Sequence, residues 1–256
     1  MNNDAARYPS LNNRLVFITG GGSGIGAALT RAFHLQDARV AFVDIDDGAS
    51  LALVAELQAA TGRSPHYQRC DIRDVAALQE TIANVGREQG PIQILINNAA
   101  NDDRHTWDQV DVAYWDERMA INLRPMFFAA QAAAHQMIEA GGGVIINFGS
   151  ISVKTAIPDL TAYMTAKAAV HGLTRSLARD LGEKNIRVNT VVPGCILTQR
   201  QLDKWISPED EKRIQEHQCL KVRLAPEHVA PMVLFLAADD SAQVTGHEFP
   251  IDAGWG

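Results

Sequence analysis

Long apolar runs are missing from this chain of 256 residues. No stretch approaches the ~20 consecutive apolar residues that a bilayer-spanning helix requires, so no membrane partner is expected. The opening segment, MNNDAARYPSLNN, is polar and lacks the charged-then-apolar order of a secretory signal. Basic runs are absent too. The balance of 23 Lys and Arg against 30 Asp and Glu gives a net charge of −7, and no patch stands ready to neutralise phosphates, so no nucleic-acid partner is expected. Cysteine is scarce: Cys70, Cys195 and Cys219 are odd in number, widely spaced and free of any CxxC. That excludes a disulfide framework and a zinc ribbon, and it points to a reducing compartment, read here as the cytoplasm. The eight histidines are scattered with no HExxH, so no metal site is expected. Internal repeats, low-complexity tracts and linkers are absent as well, which makes one domain over residues 1–256 the expectation.

What is present is a 46% hydrophobic chain, enough for a sizeable core. Short apolar runs at 14–20, 38–44, 65–71, 92–100, 143–150, 187–194 and 247–254 read as strands. Most are apolar on successive residues, as strands buried on both faces should be. Between them, segments 24–36, 48–61, 74–89, 116–140 and 160–184 carry helical periodicity. Strands alternating with helices predict an α/β fold, a doubly wound parallel sheet with helices on both faces. The irregular region is 195–225, where Ser207 and Pro208 start a helix and the insertion sits where a substrate lid would lie.

The segment TGGGSGIG (19–26) follows the first strand and opens the first helix. Gly20, Gly22, Gly24 and Gly26, with Ser23 and Ile25, allow a tight turn and close approach of backbone N–H groups to a diphosphate at a helix N-terminus. The spacing is GxxxGxG rather than GxGxxG. Asp44 ends the second strand, 18 residues past Gly26. A carboxylate there accepts hydrogen bonds from ribose hydroxyls and repels a 2′-phosphate, and no Lys or Arg stands in the loop or directly after Asp44. NAD rather than NADP is therefore the expected cofactor. Further on, YMTAK (163–167) sets Tyr163 and Lys167 at i and i+4, on one helix face. A free tyrosine has a pKa of about 10, and a neighbouring ammonium would lower it toward a useful base.

Four motifs in order, TGxxxGxG at 19–26, NNAA at 97–100, Ser150 with YxxxK, and PG at 193–194, resemble the short-chain dehydrogenase/reductase family over about residues 10–256. One departure is Ala100, where the family usually carries glycine. The resemblance implies a single-domain Rossmann fold with a seven-stranded sheet. It implies Tyr163 as general acid/base, Lys167 as its tuning charge, Ser150 as holder of the substrate oxygen, and Asn122 as support for a water-linked proton relay. For the cofactor it implies Asp44 and Ile45, Asp71 and Ile72 near the adenine, Asn98, Ala99 and Ala100 on the ribose side, and Pro193, Gly194, Ile196 and Thr198 near the nicotinamide, with Tyr163 and Lys167 also touching it. It also implies a homotetramer. Ser150 lies outside any GxSxG elbow, which argues against a hydrolase.

The loop NDDRHTWDQV (101–110) offers donors and acceptors where a lipid substrate would want apolar walls. With INFGSIS, QCLKVRL and TGHEFPIDAGWG, its NDDRH resembles bacterial aldose 1-dehydrogenases of the D-xylose dehydrogenase type. That resemblance implies oxidation of a sugar (D-xylose, L-arabinose, D-galactose or L-fucose) at C1 to the lactone, with Asn101, Arg104, Ser150, Ser152, Lys154 and Tyr163 around a small polar substrate. Two alternatives stay open. One is oxidation of a secondary alcohol on a 2-keto-3-deoxy sugar acid, with Arg104, Lys154 or Arg200 pairing its carboxylate. The other is reduction of a 3-oxoacyl thioester.

Overall fold

The computed structural model describes residues 6–255. Seven strands, β1 (Leu15–Thr19), β2 (Arg39–Asp44), β3 (His66–Arg69), β4 (Ile94–Asn97), β5 (Gly143–Phe148), β6 (Ile186–Pro193) and β7 (Glu248–Ile251), form one sheet in the order β3-β2-β1-β4-β5-β6-β7. Every neighbouring pair is parallel. This is the Rossmann-type sheet expected from the alternating pattern. Strand order reverses between β1 and β4, and the carboxyl ends on either side of that point open a crevice.

Alternation along each strand divides the core into two layers. Val16 and Ile18 of β1 pack on one face with Leu29 and Phe33 of α1 (Gly24–Leu35), Leu53 and Leu57 of α2 (Asp47–Thr61), and residues of a C-terminal helix, Ala230–Ala237. Leu15 and Phe17 face the other way, toward Leu78 and Ile82 of α3 (Val75–Gln89), the alanines of the helix Arg124–Glu139, and Leu177 of the helix Thr161–Leu181. Both faces of the central strands are therefore dry, which is why they read as continuous apolar runs.

The expected helix at 116–140 is two helices. α4 (Val112–Asn122) ends at Leu123, whose φ of −133° is not helical, and α5 (Arg124–Glu139) starts there with Pro125 in its first turn. Proline has no N–H to donate and is tolerated only in a first turn, so Pro125 was the visible sign of the break. After the four-residue α6 (Ser152–Thr155), α7 (Thr161–Leu181) carries the Tyr163–Lys167 pair and ends in a 3₁₀ turn at Gly182–Lys184. The irregular region holds α8 (Gln199–Lys204) and α9 (Pro208–His217). Ser207 caps α9 as expected, its hydroxyl accepting from the Asp210 N–H at 3.2 Å while Asp210 accepts from the Ser207 N–H at 3.1 Å. The helix at Ala230–Ala237, α10, was missed from the sequence because APMVLFLA is apolar all round and shows no helical period. Among the described residues, no helix is long and apolar enough to cross a membrane.

Candidate active site

Two cavities are prominent. One, of about 450 Å³, lies at the starts of β2 and β3 between His34, Arg39, Arg63 and His66. Its cations already have partners: Arg39 donates to the Asn13 carbonyl at 3.1 Å, and Arg63 to Asp37 at 2.8 Å and the His34 carbonyl at 2.9 Å. The other, of about 820 Å³, opens at the carboxyl ends of the central strands and holds Ser150, Tyr163 and Lys167 in its wall. Only the second brings together Ser150, Tyr163 and Lys167, the residues that the sequence singled out.

Tyr163 and Lys167 stand one helical turn apart in the first half of α7. Lys167 is 1% exposed, and its Nζ donates to the Phe148 carbonyl at 2.8 Å and lies 5.7 Å from the centroid of the Tyr163 ring. Burial pulls the Lys167 pKa down to about 7, against the opposing pull of the Asp102 carboxylate. Burial also raises the Tyr163 phenol, Asp102 adds to the rise, and a hydrogen bond from Ser150 opposes it. The Tyr163 phenol is thus raised, not lowered as the neighbouring Lys167 suggested in the sequence, because desolvation dominates. Desolvation disfavours the charged form of each group, and the Asp102 carboxylate in the same cavity wall favours the ammonium and disfavours the phenolate. Ser150 sits at the end of β5, its Oγ 2.9 Å from the Oγ of Ser152. Asn122 is fully buried and engages the start of the 101–110 loop: its Oδ1 accepts from the Asn101 N–H at 2.9 Å, and its Nδ2 donates to the carbonyls of Asn101 and Arg118, each at 3.0 Å. The structure therefore gives Asn122 a loop-holding role directly. The relay implied by resemblance requires a water on Lys167.

The dinucleotide side is built from the glycine turn. Gly20 has φ +66°, and a Cβ on Gly26 would stand 1.7 Å from the Gly20 carbonyl oxygen. Asn98 clamps the turn by donating to the carbonyls of Thr19 and Gly20 at 3.1 and 2.9 Å, and the N–H groups of Asn98 and Ala99 reach the Thr19 hydroxyl. Ser23 begins α1 without a side-chain cap, leaving first-turn N–H groups for an anion. Asp44 accepts from the Gly22 N–H at 2.9 Å and the Ile45 N–H at 2.8 Å, beside an Ile45 side chain 59% exposed. Asp71, kept well below the usual carboxylate range chiefly by Arg73, and buried Ile72 complete that rim. Ala100, Pro193, Gly194 and Ile196 line the large cavity, while Thr198 caps α8 and faces Gly24. This cradle, which a single methyl would fill, fits a nicotinamide dinucleotide. One neighbour escaped the sequence reading. Arg69, from the adjacent strand, donates to the Ile45 carbonyl at 2.6 Å and to Asp47 at 2.8 Å, so a cation does stand near Asp44, already paired.

The substrate end is polar, but its charges are divided. Arg104, Ser150, Ser152 and Lys154 line the cavity, with the Arg104 guanidinium 5.4 Å from the centroid of the Trp205 ring just after α8. Arg200 and Asn101 do not line it. Arg200 instead donates to Asp103 at 2.6 Å and Asn101 at 3.2 Å, while Lys204 reaches Asp103 at 3.2 Å and Gln201 donates to Asp102. These contacts latch α8 onto the 101–110 loop. Burial pushes the Cys195 thiol up to about 11, so it stays protonated and offers no thiolate. Among the described residues no cluster of His, Cys, Asp and Glu could hold a metal ion.

Known proteins match this arrangement over almost its full length. A family model described as Enoyl-(Acyl carrier protein) reductase matches residues 20–256. The chain is 53% identical to the D-xylose 1-dehydrogenase of Caulobacter vibrioides, covering 98% of this chain and 99% of that protein. It is 46% identical to a probable galactose dehydrogenase of Rhizobium meliloti, covering 98% of each. A solved structure of a 7α-hydroxysteroid dehydrogenase in complex with NADH and 7-oxo glycochenodeoxycholic acid superposes with a TM-score of 0.91 at 31% identity, covering 99% of this chain and 98% of that one.

Proposed function

The chain belongs to the short-chain dehydrogenase/reductase family, and from that premise we propose that it is a sugar dehydrogenase that oxidises an aldose at C1 to the lactone, with NAD as cofactor and Tyr163 as base. The observation that carries this reading is the Ser150–Tyr163–Lys167 group in the wall of a cavity whose rim is polar. The similarity to enzymes named for D-xylose and galactose supports the substrate class. Asp44 supports NAD: it would hold ribose hydroxyls and repel a 2′-phosphate, and the nearby Arg69 is engaged by Asp47. When bound, the oxidised nicotinamide accepts a hydride. The protein's own residues orient and deprotonate. Ser150 steadies the anomeric oxygen, Tyr163 takes its proton, and Lys167 holds positive charge beside the phenolate. The unpaired cysteines accord with a reducing cytoplasm. Exposed Phe127 and Ile138 on α5 accord with a homotetramer.

One observation favours a second reading. Arg104 and Lys154 line the cavity, and neither forms an ion pair among the described residues. They could hold the carboxylate of a 2-keto-3-deoxy sugar acid whose secondary alcohol is oxidised. Arg200, engaged by Asp103, drops out of that role. A 3-oxoacyl thioester reductase is disfavoured by the polar rim and by Asp44.

The test is NADH and NADPH formation with D-xylose, L-arabinose, D-galactose, L-fucose, L-rhamnose and a 2-keto-3-deoxy sugar acid. Turnover of at least one aldose is expected, with NAD preferred. Activity on the sugar acid alone would move the chemistry to a secondary alcohol.

The pH dependence follows from proton counting. Sugar oxidation needs phenolate at Tyr163 and ammonium at Lys167, one proton on the pair. Neutral phenol with neutral amine holds the same count. The free enzyme reaches that count as pH rises through about 7, the Lys167 value, and keeps it until the raised Tyr163 phenol ionises. The kcat/KM for sugar oxidation should climb with pH up to about 7 and then level off. The reverse reduction needs both protons and should fall over the same interval. An oxidation profile still rising steeply above pH ~9 would contradict this coupling.

A further inference from the structure

The catalytic helix α7 begins without a cap of its own: Leu160, at its N-cap position, offers no side-chain acceptor. The first N–H groups of a helix lack intrahelical partners. Here one of them is met from 57 residues away, the Ala162 N–H donating to Nε2 of His105 at 3.2 Å. Ala162 is the residue immediately before Tyr163. His105 belongs to the 101–110 loop, is 9% exposed, and is joined to the same turn a second time by its own N–H, which donates to the Asp159 carbonyl at 2.9 Å.

The hydrogen bonds around His105 run in one direction. Because Nε2 accepts from a backbone N–H, the neutral ring carries its proton on Nδ1. Nδ1 lies 2.9 Å from the Tyr114 hydroxyl, to which it donates, and 3.3 Å from the Asp103 carbonyl, and that hydroxyl donates on to the same carbonyl at 3.1 Å. Burial raises the Tyr114 phenol, which keeps it a proton donor. The two rings meet edge to face, their centroids 4.9 Å apart. Asp103 is the residue whose carboxylate Arg200 and Lys204 of the lid grip. A continuous set of contacts thus joins lid, substrate loop and the first turn of the helix that carries the base.

We infer that His105 is a positioning residue: it fixes the first turn of α7, and with it the Tyr163 hydroxyl, relative to the loop that overhangs the substrate. The inference rests on the reading of Tyr163 as the base. A substrate held by the loop and a base held by the helix must keep one geometry, and displacement by about 1 Å costs on the order of 10²-fold in rate. A ring that packs without accepting would fill the same space and leave the turn free to shift.

The experiment compares His105→Phe, which keeps ring bulk and loses the acceptor, with His105→Gln, which returns an acceptor near the Nε2 position. Tyr114→Phe, which removes the hydroxyl bridge to Asp103 and leaves the direct 3.3 Å contact of Nδ1 with the Asp103 carbonyl, completes the series. His105→Phe should lower kcat for aldose oxidation by about 10- to 100-fold, leave NADH affinity within about twofold, and speed amide hydrogen exchange at Ala162 and Tyr163. His105→Gln should recover most of the rate and protection, and Tyr114→Phe should fall between. Wild-type kcat and exchange in His105→Phe would overturn the inference. So would equal losses in His105→Phe and His105→Gln accompanied by loss of NADH binding, the pattern of a residue needed only for folding. If His105→Phe does not fold, His105→Gln and Tyr114→Phe decide by the same readouts. Tyr163→Phe in the same series keeps the two readings apart: turnover surviving there would remove the base assignment, while the exchange result would still judge the cap.

Discussion

Tyr163→Phe is expected to lower kcat for sugar oxidation by about 10³-fold while leaving dinucleotide affinity and thermal stability close to wild type. The substitution deletes one oxygen and keeps the ring. Positioned general acid–base catalysis contributes ~10² to 10⁴-fold, and neither Lys167, Ser150 nor Cys195 is placed to take over the role. Lys167 is engaged by the Phe148 carbonyl, its Nζ 5.7 Å from the Tyr163 ring centroid. Ser150 is a far weaker base and shares its hydroxyl with Ser152. The Cys195 thiol is kept protonated by burial. KM for the sugar should change little, because Ser150, Ser152, Arg104 and Lys154 remain in the wall. Initial rates with titration of NADH binding check both halves. A variant within about tenfold of wild type would place the proton acceptor elsewhere.

Gly26→Ala should have an effect of comparable size by a different route. Gly26 lies in the first turn of α1, where helix propensity alone favours alanine by up to about 1 kcal/mol. Steric overlap decides against it. The added methyl would stand 1.7 Å from the Gly20 carbonyl oxygen and 2.8 Å from Nδ2 of Asn98, which clamps the glycine turn proposed to cradle the diphosphate. Either α1 moves outward or the Gly20–Asn98 contact opens, and both spoil the set of N–H groups offered to the anion. Dinucleotide Kd should rise by about 100-fold or more, corresponding to about 2.7 kcal/mol. Overpacking should also lower stability by about 1–3 kcal/mol. Gly182→Ala is the control: φ there is −59° and nothing lies within 4 Å of the new methyl, so binding and stability should hold. Equal effects at the two positions would show that the close approach at Gly26 is not what matters.

The parts of this protein that the sequence determined by itself are those in which the deciding physics is local. Strands buried on both faces carry apolar residues on successive positions, so β1, β2 and β4 announce themselves by the runs LVFI, VAFV and ILI. A glycine turn between a strand and a helix, and two side chains four residues apart on a helix, carry their geometry in their spacing, so the glycine cradle and the Tyr163–Lys167 pair were both legible. Even the break between α4 and α5 had a local sign in Pro125, overlooked because the surrounding alanines keep helical periodicity through it.

Tertiary structure alone decided where the charges and buried groups went. Arg200 looked like a free cation until the fold set Asp103 at 2.6 Å from it, 97 residues back along the chain. Arg69 came to Ile45 only because β3 pairs with β2. The pKa of Lys167 fell rather than standing as a full ammonium because the sheet and α7 close over it, a matter of desolvation that no four-residue motif contains. His105 reads in the sequence as one more scattered histidine, and it becomes the cap of α7 only when the 101–110 loop folds across the start of that helix. Spacing along a chain fixes geometry over one or two helical turns. Burial, ion pairing and capping across tens of residues depend on which surfaces the whole fold brings together.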